Sequence, residues 1–179
     1  MSAGHGHIDP SNKKIALLIA VLALVLAFSE TLGKAAQTNA LTLNIEASNL
    51  WSFFQAKTIR QTVLRTAAEQ TEAISPASTK LIEQWRKTAQ RYQSEPETGE
   101  GRDELMVRAK EAEKKRDRAM AAYHQYELAS AAVQIAIVLA SAAIVTSAMV
   151  LAWIGAGLGV VGIAFCLIGF LAPTAVHVF

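Results

Sequence analysis

Residues 103–154 read DELMVRAKEAEKKRDRAMAAYHQYELASAAVQIAIVLASAAIVTSAMVLAWI. The stretch holds neither Gly nor Pro, so nothing in it forces a helix to stop. Its first part is crowded with charge, through Arg108, Lys110, Glu111, Glu113, Lys114, Lys115, Arg116, Asp117 and Arg118; from Leu128 to Leu151 there is none. One helix of that length reaches about 75 Å at the usual rise, and about half of it is too apolar to leave in water. It reads as a rigid polar stalk continuous with a membrane span over 128–151.

The rest of the chain shows the same division. Of its 179 residues 52% are hydrophobic, and these collect at the two ends, which favours membrane segments over one soluble core. A formal charge of +2, with bases interleaved among acids, gives no basic patch for nucleic acid. Cys166 is the single cysteine, which excludes an intrachain disulfide and a four-cysteine zinc site.

Residues 1–14 form a short polar tail. His5 and His7 lack the third and fourth ligands of a metal site, so no metal is assigned to them. Asp9-Pro10-Ser11 reads as a helix start with Ser11 as cap. Residues 15–32 then form the first span, uncharged until Glu30. Two lysines before an apolar run also fit a signal peptide, but no clean small-x-small site follows near Ser29, so an uncleaved anchor is expected. Ala16, Ala20, Ala23 and Ala27 recur at steps of four and three with Glu30 at the end, a face on which a neighbouring helix can approach closely. Glu30 is either an ion- or proton-handling carboxylate inside a bundle or an interfacial residue reaching water; its place near the end of the span favours the second.

Residues 33–127 form the extramembrane region. Leu50, Trp51, Phe53 and Phe54 make an aromatic block that reads as an interaction patch or membrane-surface belt, or more plainly as a helix core contact. Lys57, Arg60 and Arg65 follow as a solvated face. Ser75-Pro76 restarts the chain, and the next helix carries Leu81, Trp85, Ala89 and Tyr92 on one stripe with Ile82 beside it. A loop near 94–102, rich in Pro and Gly, separates it from the stalk; the two helices are expected to form an antiparallel hairpin. The stalk has a seam of Leu105, Ala109, Ala112, Arg116, Ala119, Tyr123 and Tyr126, suited to coiled-coil packing. Glu104–Arg108, Glu111–Lys115 and Glu113–Arg116 offer surface ion pairs that need no ligand.

In the second span Ala132, Ala136 and Ala140 continue a small-residue stripe beside the one amide, Gln134. A tight turn is expected at Trp153-Ile154-Gly155. The third span, 154–172, places Gly155, Gly159, Gly162, Cys166 and Gly169 on one face, and Pro173 opens the C-terminal tail, 173–179. Three small-residue faces imply a homo-oligomer.

Lysines 13 and 14 place the N terminus in the cytoplasm and the extramembrane region in the periplasm, whereas the bases before the second span argue for the reverse; three spans cannot satisfy both. The first helix usually dominates, which selects the cytoplasmic N terminus.

The runs from Asp9 to Lys14 and from Ser48 to Gln61 resemble a family of small bacterial membrane proteins of unknown function. The resemblance covers nearly the whole chain and implies a bacterial inner-membrane protein with one span before and two after a polar helical region; it brings no catalytic residue with it. The fold expected is therefore an all-α integral membrane protein with three transmembrane helices and an extramembrane hairpin or coiled coil. With no phosphate loop, catalytic triad or metal-ligand cluster legible, neither an enzyme nor a cofactor is expected. The leading function is a membrane-anchored scaffold or interaction protein partnered by the bilayer and by copies of itself. The alternatives are a channel or transporter subunit with Glu30 and Gln134 facing the bundle interior, and an accessory subunit of a larger membrane complex.

Overall fold

A computed structural model describes residues 10–75 and 77–175. It is all-α, with α1 at Pro10–Ile74, α2 at Thr79–Gln93, α3 at Arg102–Thr146 and α4 at Met149–Leu171, and no strand among the described residues. Helices α1, α3 and α4 each hold a stretch long and apolar enough to cross a membrane. The contacts divide the chain into two compact units, Met1–Asn39 with Arg118–Phe179, and Ala40–Asp117.

Three boundaries differ from the sequence reading. Helix α1 starts at Pro10, so Ser11 is already a helical residue, and it runs on through Gly33 without a break. Glycine in a helix interior costs about 1 kcal/mol relative to Ala; here its hydrogen faces the Cβ of Tyr126, which would lie 3.3 Å from any Cβ added. The turn between the last two helices falls at Ser147-Ala148 instead of at 153–155. Ser147 takes a left-handed backbone, φ 57°, and the Ala148 N–H donates to Thr146 Oγ1 at 3.4 Å. Helix α2 begins at Thr79, with Ser78 in the cap position and no side-chain cap bond; Pro76 lies outside the described residues.

In the first unit α3 runs through the middle. Ala129, Val133, Ala136, Ala140 and Ala143 are all but completely buried on it. Along α1, Gly33 lies by Tyr126, Leu22 clusters with Val133 and Ala136, and Ile15 with Ala140 and Ala143. Along α4, Gly169 lies by Tyr126, Gly162 by Ala129 and Gly155 by Ala136. Both neighbours are thus antiparallel to α3 and parallel to each other. The glycine face of α4 is spent inside the chain: a Cβ would come within 2.8 Å of the Ala136 carbonyl at Gly155, and within 2.5 Å of Leu22 at Gly159 and of Val133 at Gly162. On α1 the small-residue face is not the one that packs within the unit. Its buried residues are Ile15, Leu22 and Ser29, whereas Ala16, Ala20, Ala23 and Ala27 are exposed. In a run apolar all round, the larger side chains reach the α3 alanines and fill the space these leave.

In the second unit the expected hairpin of α2 with α3 is absent. Contacts with α1 descend in one series: Glu72 with Arg86, Gln61 with Gln93 and then Arg102, Trp51 with Glu113, Asn44 with Arg116. Helices α2 and the first part of α3 therefore follow one another along α1, both antiparallel to it. Their junction is held by Glu104, whose carboxylate accepts from Ser94 Oγ at 2.6 Å and from the Glu95 N–H at 3.2 Å. A side chain at Gly101 would strike the Glu95 backbone, so only Gly lets the chain pass there. Ala47, Leu50, Leu105, Ala109 and Ala112 form the apolar core. The α2 stripe is Ile82 and Ala89, with Leu81 exposed.

Candidate functional site

The aromatic block of α1 is built into the second unit. Leu50 is buried, and Trp51 donates from Nε1 to Glu113 Oε1 at 2.9 Å, so Glu113 does not serve Arg116, which pairs with Asp117. Trp51 meets Phe54 edge-on at 5.4 Å, and the Arg102 guanidinium lies 5.0 Å over the Phe54 ring. Phe53 is the most open of the four, at 38% exposure. Lys57, read as part of a solvated face, is buried: its ammonium lies 5.0 Å from the Tyr92 ring, 5.5 Å from Phe53 and 3.9 Å from Glu100. Beside it Gln61, 2% exposed, donates to the Ala89 carbonyl and to Gln93 Oε1, both at 3.0 Å, and accepts from Arg102. Sequence reasoning missed this polar core. Its one signal was the position of Lys57 and Gln61 one turn apart, following Leu50 and Phe54 on the buried face.

The polar groups of the first unit gather elsewhere. Glu30 and Gln134, singled out separately, meet across α1 and α3: Gln134 Nε2 donates to Glu30 Oε1 at 3.3 Å. The pair sits on a groove of about 620 Å³ that also takes in Lys34, Gln37, Tyr123 and Glu127. Glu127 accepts from Tyr123 Oη at 2.7 Å and lies 3.5 Å from His124 Nδ1. The bond to Glu127 pushes the Tyr123 phenol above its ordinary range. Carboxylates, an ammonium, an imidazole and amides line one open groove beside an apolar helix face; such a set can hold a small polar or zwitterionic group. Glu30 is exposed on this groove and does not lie in the core of the unit.

Among the described residues, no three His, Cys, Asp or Glu side chains converge on a point where a metal ion could sit; His5 and His7 lie outside those residues. Fold and groove together define an all-helical protein with three helices able to cross a membrane and a polar helical region between the first two. A family model described as a domain of unknown function (DUF4337) matches residues 11–172, and the chain belongs to that family. No curated protein and no solved structure matches it.

Proposed function

We propose that the protein is a membrane-anchored helical scaffold that assembles with copies of itself. Helices α1, α3 and α4 cross a bacterial inner membrane, with the N terminus cytoplasmic and the region 33–127 periplasmic. The observation that carries the reading is a free seam on α1 in the second unit. Ile45, Asn49, Ser52, Ala56, Ile59, Val63, Thr66 and Gln70 follow one another at steps of four and three. None is charged; seven are exposed and Ala56 is half-buried, on the face turned away from α2 and α3. Four-three spacing is that of a helix presenting a coiled-coil face, and polar layers such as Asn49 and Ser52 set register at some cost in stability. An uncharged face of this kind suits its own copy, since it brings no like charges together. In the first unit the exposed face of Ala16, Ala20, Ala23 and Ala27 permits the same close approach within a bilayer.

The test is the native mass of the complex extracted in nanodiscs. A discrete multiple of the chain mass is expected, falling to one chain in the double variant Ile59→Glu, Val63→Glu. A monomeric wild type would sink the scaffold reading, and a complex containing a different protein would point to an accessory subunit.

The Glu30–Gln134 contact favours a second reading, an ion- or proton-conducting subunit. It requires flux through liposomes bearing the wild type that drops in Glu30→Gln; a wild type without flux removes it.

A further inference from the structure

At the end of the first unit away from the polar groove, α1 and α4 separate over a cavity of about 450 Å³. Its walls are Ile15 and Leu18 from α1 and Ala152, Trp153 and Ala156 from α4, and among the described residues Lys14 is the one charged residue that lines it. Trp153 is 75% exposed, in the place along α4 where an indole would meet the membrane–water boundary. After Lys14 the next charge on α1 is Glu30, α4 carries none, and α3 has none beyond Glu127. Among the described residues this end therefore carries bases and no acid, and Lys13 and Lys14 have no carboxylate partner there.

We propose that this cavity binds an anionic phospholipid, its phosphate on Lys14 and one acyl chain along Ile15, Leu18, Ala152 and Ala156. The inference rests on the membrane reading. Charge selects the ligand: a zwitterionic head group would bring an ammonium that no acid among the described residues at this end can meet, and a free phosphate would leave the apolar walls uncovered. Basic pockets between spanning helices are a recurrent means of holding anionic head groups. The α1–α4 seam opens again around Phe28, Leu32, Ile163 and Leu167, in a second cavity of about 300 Å³. Phe28 lies about 21 Å along α1 from Lys14, beyond the ~15 Å half-thickness of a hydrocarbon core. That opening faces the other leaflet and is no part of the site.

The experiment is native mass spectrometry of the full chain released from nanodiscs of equimolar phosphatidylglycerol and phosphatidylcholine with identical acyl chains. Wild type should retain phosphatidylglycerol preferentially. Lys14→Gln should lower that retention about fivefold, the size expected from one lysine near an anionic surface. Lys13→Gln removes the same charge from a residue outside the cavity and should change retention little. Equal retention of the two lipids, equal effects of the two variants, or displacement of the bound lipid by inorganic phosphate would overturn the site. A chain that is embedded but indifferent to head group overturns this site alone, whereas one recovered without detergent from the aqueous fraction overturns the membrane reading itself.

Discussion

At Gly162 an added methyl would meet Val133 at 2.5 Å and the Ala129 carbonyl at 3.1 Å, whereas at Gly159 it would meet only the tip of Leu22 at 2.5 Å. A leucine tip can rotate away; a helix backbone cannot. Gly162→Ala is expected to cost about 1–3 kcal/mol, as overpacking does, and Gly159→Ala distinctly less. Thermal unfolding in detergent reads the order, and equal losses would show that Leu22 is as fixed as the α3 backbone. The same contacts mean that leucine at Gly159 or Gly162 damages the chain's own fold before any assembly. In the second unit Gln61 is the corresponding residue. Gln61→Leu leaves Arg102 and Gln93 without the amide they share and should cost about 1–3 kcal/mol. Arg60→Ala, one residue away and exposed, should stay within about 0.5 kcal/mol.

Helices end here for reasons of different legibility. The junction at 94–101 was visible because Pro96, Gly99 and Gly101 announce it. The turn at Ser147 was not, because no Gly or Pro marks it and a left-handed serine looks like any other serine in an apolar run. Ser147→Gly should relieve that backbone and raise stability by about 0.5–1 kcal/mol; no gain in melting temperature would mean the turn relaxes when mutated. Which face of α1 is buried was equally hidden, since a span apolar all round has little periodic contrast, and the small residues proved to be the outer ones. The Gly stripe of α4 was readable because close approach leaves so few alternatives. The junction also responds to pH. The bond from Ser94 lowers the Glu104 carboxyl below its ordinary range, and the bond from Arg91 lowers that of Glu95. Depressed carboxylates stabilise above the usual glutamate range, near ~4.3, and lose that contribution as pH falls through their folded values. Hydrogen exchange at 94–101, corrected for intrinsic rates, should rise below about pH 4 in wild type. Glu104→Gln should exchange faster already at neutral pH and change less on acidification.

At the scale of the whole molecule, a shared membrane would limit how copies meet in the assembly proposed above. Chains inserted with one orientation are related by rotation about the bilayer normal, so their α1 seams run parallel and equivalent residues stand at equal height. Identical positions on the seam must then face each other, which an antiparallel or head-to-tail association would not produce. Cys166 is the only cysteine, so a Cys166→Ser background makes single-cysteine crosslinking readable. Ile45→Cys and Ile59→Cys, fourteen residues apart by their numbering and therefore two heptads apart on one seam, should each give a disulfide-linked dimer in oxidised membranes. Glu69→Cys, exposed but off the seam, should remain single. Crosslinks at all three positions would mean random collision. Crosslinking at neither isoleucine, in a complex whose mass still exceeds one chain, would move the interface to the outer alanines of the first span, Ala16, Ala20, Ala23 and Ala27, and leave the α1 seam free for another partner.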